Sequence, residues 1–228
     1  MVCAALVTAG GLGKRMGSTA PKQYLELNGR PVLAWTLSAF ETHPVIDFIV
    51  FTVPPGDEDY CMEKIVKPYR FQKVRDIVAG GKDRQASVRH GLEKLVKTDF
   101  IVIHDGVRPL VSADTIARSI ETAKTYGAAV ACAPVTETVK KRIGQYVNTI
   151  SRTDLLLAHT PQTFQSRLII DAHRKALEDG FIGTDDAMLV ERLGHPVVAI
   201  EDSDENIKIT TPADMILAGM LLKSRSKT

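Results

Sequence analysis

The segment Thr8-Ala9-Gly10-Gly11-Leu12-Gly13-Lys14-Arg15-Met16 sets glycines directly before two cations, and Pro21-Lys22-Gln23 follows closely. Glycine lets backbone amides approach an anion with no Cβ in the way. Amides together with Lys14, Arg15 and Lys22 suit a highly charged phosphate chain. The alternative is a tight turn with solvated cations, but the position after an apolar run favours phosphate. Two other glycine motifs are excluded. A Walker loop needs G-x-x-x-x-G-K-[ST], which the sequence lacks. A dinucleotide fingerprint needs glycine where Met16 stands and an acidic end to the second strand, where Val53-Pro54-Pro55 stands instead.

Two further segments add to the first. Gly80-Gly81-Lys82-Asp83-Arg84-Gln85-Ala86-Ser87 offers close backbone contact and a hydroxyl, which suits a planar base or a ribose. Alone it reads equally as an ordinary strand-to-helix loop. His104-Asp105-Gly106-Val107-Arg108-Pro109 follows an apolar run. A carboxylate at a strand's carboxyl end, facing a phosphate loop, is a natural Mg²⁺ ligand, because Mg²⁺ takes one or two protein carboxylates and fills its shell with phosphate and water. The other reading of Asp105 is a turn cap. His104 could act as a general base, but no Ser or Cys nucleophile accompanies it, so a structural role is expected. Together these segments point to magnesium-dependent nucleotidyl transfer. Arg152, Lys208, Thr138 and Thr160 stand out only by comparison with a family.

The elements that must position these segments follow from the apolar pattern. Short, continuously apolar runs at 2–8, 46–53, 74–78, 100–104, 128–133 and 197–200 predict strands buried on both faces. Amphipathic stretches at 31–42, 84–96, 112–126, 184–193 and 211–223 predict helices. Pro31 is expected at a first helical position, Ser112 as an N-cap, Gly127 and Gly194 as stops, and Thr211-Pro212-Ala213-Asp214 as a capping-box-like start. The alternation predicts an α/β fold with a mostly parallel sheet flanked by helices, and places ligands at the carboxyl ends of the strands. Residues 136–153 alternate polar and apolar around Gly144-Gln145, which predicts a protruding β-hairpin. Either a surface decoration or an arm reaching a partner subunit fits it.

The chain of 228 residues suits one domain spanning 1–228, with the β-arm at about 136–153. The formal net charge of +2 gives no support for nucleic-acid or membrane-surface binding. Cys3, Cys61 and Cys132 form no zinc-type spacing and read as free thiols in a reducing, cytoplasmic setting. No apolar stretch reaches the ~20 residues of a membrane span, and the apolar start lacks the basic leader of a signal peptide.

The ordered set GGLGKRM, PKQYLEL, AGGKDRQASV, HDGVRP, HTPQTF, GTDDA and NIKITTP resembles the 2-C-methyl-D-erythritol 4-phosphate cytidylyltransferases across essentially the whole chain, from Val2 to about Leu222. The resemblance implies a Rossmann-like nucleotidyltransferase fold and a homodimer with an exchanged β-arm. It implies transfer of CMP from CTP to 2-C-methyl-D-erythritol 4-phosphate with release of pyrophosphate, in non-mevalonate isoprenoid synthesis. Arg15 and Lys22 match the cations that stabilise charge on the α-phosphate, and Arg152 and Lys208 match those that position the sugar phosphate. Ala9, Gly10, Gly11, Gly81 and Ser87 match the CTP cradle. Asp105 matches the acidic residue near substrate and metal, and Arg108, Thr138 and Thr160 match substrate contacts. Thr138 and Arg152, on the arm, would serve a neighbouring subunit. The sequence departs from the common pattern at Thr8-Ala9-Gly10, where Pro-Ala-Ala is frequent, at Gly106-Val107, where Ala-Ala is frequent, and at Lys82, acidic in some members. A pentitol-phosphate (ribitol 5-phosphate) cytidylyltransferase and an inactive nucleotide-binding regulator are the rival readings. The regulator predicts missing cations, and these are present.

Overall fold

The computed structural model describes residues 1–11 and 21–225. Strands are β1 (Cys3–Thr8), β2 (Glu26–Leu27), β3 (Arg30–Pro31), β4 (Phe48–Val53), β5 (Val74–Ala79), β6 (Phe100–Asp105), β7 (Ala128–Pro134), β8 (Val139–Ile143), β9 (Tyr146–Ile150), β10 (Leu156–Gln165) and β11 (Val198–Glu201). Helices are α1 (Val32–Glu41), α2 (Glu58–Cys61), α3 (Arg84–Leu92), α4 (Ala113–Tyr126), α5 (Ser166–Glu178), α6 (Asp186–Arg192) and α7 (Pro212–Arg225). Seven strands form one sheet in the order β11-β7-β10-β6-β1-β4-β5, parallel except for β10.

Alternation along β1 divides the core. Cys3, Ala5 and Val7 pack with Leu33, Leu37 and Phe40 of α1 and Ile116 and Ile120 of α4. Ala4 and Leu6 face the opposite side, with Val88 and Leu92 of α3 and Ile169, Ala172 and Ala176 of α5. Burial on both faces explains why these strands read as unbroken apolar runs. A third cluster seats α7 on Leu27, Val32, Val107, Leu110 and Ile209.

The helix ends follow local chemistry. Ser112 accepts the Thr115 amide, and Gly127 closes α4 at φ +88°. Thr211 and Asp214 cap α7 reciprocally, the Thr211 hydroxyl taking the Asp214 amide and the Asp214 carboxylate taking the Thr211 amide. Pro31 lies one residue earlier than expected, in β3, so Val32 is the first helical residue.

Besides the short β2, β3 and α2, two longer elements have no counterpart among the expected ones. β10 carries Pro161 and several polar residues, and its register against β7 shifts between Ala158 and Gln162, so the sequence lacks a clean strand pattern there. Helix α5 has its sequence signal in Ile169, Ala172, His173 and Ala176, which recur at helical spacing and are buried. The hairpin falls where it was expected: β8 and β9 pair only with each other around Gly144-Gln145, with Gly144 at φ +61°.

Candidate active site

Parallel pairing brings the carboxyl ends of β1, β4, β5 and β6 to one edge, with Thr8 in register with Thr52 on one side and Asp105 on the other. A cleft of about 590 Å³ opens there, lined by Ala9 to Gly11, Lys22, Gly81 to Arg84, Ser87, Asp105 and Lys208 among others. One side of it is built largely from the two glycine segments. The Gly81 amide donates to Ser87 Oγ at 3.0 Å, and Ser87 Oγ donates to the Asp83 carbonyl at 2.8 Å. Asp83 caps α3 by accepting the Ala86 amide at 2.7 Å. A Cβ on Gly10 would lie 3.2 Å from Ser87 Oγ, so the first and second glycine segments meet at van der Waals distance. Gln23 ties the phosphate segment down by donating to the Ala9 carbonyl at 2.7 Å.

Another part of the lining is ionic. Asp105 Oδ1 lies 3.0 Å from Arg84 Nε, while Oδ2 lies 2.7 Å from Lys208 Nζ and 3.9 Å from Arg108 Nε. Burial opposes the charge on Asp105, but Arg84 and then Lys208 overcome it and hold the carboxyl far below its usual range. Lys22 Nζ donates to the Ile209 carbonyl at 2.9 Å, which brings the PKQY and NIKITT segments together.

A buried chain stands behind Asp105. The Asp105 amide donates to Thr160 Oγ1 at 3.1 Å, and that oxygen sits 3.0 Å from His104 Nδ1. His104 Nε2 is 3.1 Å from the Arg108 carbonyl, which can only accept. The proton therefore sits on Nε2, and Nδ1 accepts from the Thr160 hydroxyl. Burial pushes the His104 pKa down to about 4, so the ring is neutral and fully engaged, as a structural role requires. Asn206 extends the chain, donating to the Thr160 carbonyl at 2.8 Å and to Asp202 Oδ2 at 2.7 Å, while its own carbonyl accepts from Arg108 Nη1 at 2.5 Å.

Of the residues expected at a site, Ala9, Gly10, Gly11, Lys22, Gly81, Ser87, Asp105 and Lys208 line the cleft. Thr160 and Arg108 are buried beside Asp105. Thr138 and Arg152 do not join them: both are exposed at the base of the β8–β9 hairpin, where Arg152 donates to the Thr136 carbonyl. Arg15, with Lys14 and Met16, lies outside the described residues. Arg84 and Asp186 lie within the AGGKDRQASV and GTDDA motifs, but only the fold shows that Arg84 pairs with both Asp186 and Asp105. Asn206, close to the singled-out Lys208, likewise gains its partners only in the fold.

Among the described residues no three His, Cys, Asp or Glu side chains gather as a metal cage. Asp105 is nevertheless ionised, and of the about four lone-pair directions of a carboxylate its pairs with Arg84 and Lys208 leave some to spare. That donor set fits a hard cation drawing most of its oxygens from phosphate and water, not one enclosed by protein.

Comparison with known proteins gives a consistent result. The family model described as IspD, 2-C-methyl-D-erythritol 4-phosphate cytidylyltransferase, matches residues 2–224. A 2-C-methyl-D-erythritol 4-phosphate cytidylyltransferase of Syntrophus aciditrophicus is 49% identical over 96% of this chain and 95% of its own. One from Geobacter metallireducens is 46% identical over 99% of both. The crystal structure of 4-diphosphocytidyl-2C-methyl-D-erythritol synthase from Anaerococcus prevotii superimposes with a TM-score of 0.86 at 32% identity, covering 97% of this chain and 96% of that one. The Thermus thermophilus cytidylyltransferase structure gives 0.82 at 34%, covering 98% and 100%. The chain belongs to the 2-C-methyl-D-erythritol 4-phosphate cytidylyltransferase family.

Proposed function

We propose that this cleft transfers CMP from CTP to 2-C-methyl-D-erythritol 4-phosphate, releasing pyrophosphate, by alignment and charge neutralisation alone. Membership of the family makes the chain a CTP-dependent cytidylyltransferase of the non-mevalonate isoprenoid pathway. The observation that carries the mechanistic reading is the ion-paired Asp105, held by Arg84, Lys208 and the buried Arg108, in a cleft that Lys22 and the glycine segments also line. The attacking group is a phosphate oxygen, already anionic, so no protein base is needed. His104, the nearest candidate, is buried with both nitrogens engaged.

Ala9 to Gly11 and Gly81 with Ser87 hold the nucleotide. Lys22, with Arg15, stabilises the charge that develops on the α-phosphate. Lys208 positions the acceptor phosphate, with Arg108 and Thr160 fixing the surface behind it. Asp105 would be the protein carboxylate for Mg²⁺ bound with CTP, and that ion would supply further neutralisation of the triphosphate.

The hairpin is the arm of a homodimer. Ile143, Tyr146, Val147, Leu156 and Leu157 are exposed on or next to it, and a lone two-stranded hairpin is marginal in water, so a partner surface accounts for both. Thr138 and Arg152, which do not line the cleft of their own chain, then serve the partner's acceptor site.

Substitution tests the electrostatic mechanism. Arg15→Ala and Lys22→Ala should each lower kcat by roughly 10²–10³-fold while still binding CTP. Variants that bind CTP and turn over at the unmodified rate would refute it.

A further inference from the structure

The reaction as described uses Lys208 and Asp105 but leaves Arg84 and the acidic pair of GTDDA without a task. Arg84 is the first residue of α3, held there by the Asp83 cap. Its Nε reaches Asp105 Oδ1 at 3.0 Å, and its Nη1 reaches Asp186 Oδ2 at 2.8 Å. The second oxygen of Asp186 lies 3.0 Å from His173 Nε2, and its amide donates to Gln162 Oε1 at 3.1 Å. Asp186 and His173 are almost wholly buried, at 1% and 2% exposure. The Arg84 guanidinium is thus clamped between two carboxylates, one on the cleft wall and one anchored in the core.

The three cations around Asp105 differ in freedom. Arg84 is tied at both ends, and Arg108 is buried and donates to the Asn206 carbonyl. Lys208 is 39% exposed in the cleft and pairs through a single flexible ammonium. Only Lys208 can exchange its carboxylate for an incoming phosphate. The exchange removes one counter-charge from a buried Asp105, and it is tolerable because Arg84 stays.

We infer that Arg84 is a positioning residue: anchored by Asp186 and His173, it fixes Asp105 so that Lys208 is free to move onto the acceptor phosphate. The inference rests on the reading of Lys208 as the acceptor-phosphate cation. Without Arg84, Lys208 becomes the main partner of a buried carboxylate and is retained by it.

The test is steady-state kinetics on the full chain with CTP and methylerythritol phosphate varied in turn, alongside thermal melting. R84Q should raise KM for the acceptor about 10- to 100-fold, the scale of a charge-assisted hydrogen bond, and raise KM for CTP by much less. R84K, which keeps a cation beside Asp105, should recover most of the loss. D186N should shift acceptor KM in the same direction, and R84Q/D186N should be no worse than R84Q, because Asp186 acts through Arg84. R84K and D186N keep the test decisive if R84Q folds poorly. Equal changes in both KM values, a lowered melting temperature with normal acceptor KM, or multiplying effects of R84Q and D186N would overturn the inference. K208A separates it from the reading beneath. Unchanged acceptor KM in K208A refutes the role of Lys208 and the inference with it. A raised KM in K208A with a normal one in R84Q refutes only the inference.

Discussion

Gly81→Ala is a sharp probe of the nucleotide cradle. The new Cβ would stand 2.4 Å from Ala86 Cβ and 3.0 and 3.2 Å from the Ala86 carbonyl carbon and Cα. Two of those atoms are backbone in the first turn of α3, so no rotamer change relieves the contact. The Gly81 segment must move away from the helix, which lengthens the 3.0 Å bond from its amide to Ser87 Oγ. Overpacking of this kind costs ~1–3 kcal/mol. For a chain of this size that lowers the melting temperature by roughly 2–12 °C. Loss of one cradle contact should raise KM for CTP about tenfold, with acceptor KM little changed. The assay is calorimetry plus initial rates with CTP varied. Ala86→Gly in the Gly81→Ala background should restore part of the loss, since it removes the 2.4 Å contact and leaves the backbone contacts. A Gly81→Ala variant with normal melting and normal KM for CTP would refute this account of the cradle.

Two other outcomes follow from the same geometry. His104 is neutral in the fold with a pKa near 4 against an ordinary 6.5, so its contribution to stability is complete above about pH 6.5 and is lost as pH falls toward 4. That shift corresponds to about 3 kcal/mol, and urea unfolding midpoints of His104→Asn should fall less steeply between pH 7 and 4.5; an identical slope would contradict the assignment. Deleting residues 139–150 should give monomers without activity by light scattering and turnover, and an active monomer would refute a site shared between subunits.

Much of the fold was legible because burial on both faces leaves strands as apolar runs, and because Ser112, Gly127 and the Thr211–Asp214 pair are chemically explicit ends. β10 was not legible. It is the antiparallel strand between β6 and β7, yet Pro161 and the polar residues around it break the pattern. Those polar residues serve the site: Thr160 bonds Asp105 and His104, and Gln162 accepts the Asp186 and Ala187 amides. At the site, the glycine segments and Asp105 were readable because their chemistry is local. Arg84, Asp186 and Asn206 were not, since each acts across 21 to 102 residues of sequence and nothing near them marks the partner. Thr138 and Arg152 were named only through the family resemblance, and on the exposed hairpin nothing local identifies them.

The most direct measurement is pyrophosphate release by the purified chain with CTP and 2-C-methyl-D-erythritol 4-phosphate, with Mg²⁺ and with excess EDTA, and with ribitol 5-phosphate as the competing acceptor. The account predicts release with methylerythritol phosphate, abolished by EDTA and restored by Mg²⁺, and little or none with ribitol phosphate. Release only with ribitol phosphate would contradict the acceptor, and release undiminished by EDTA would contradict the metal.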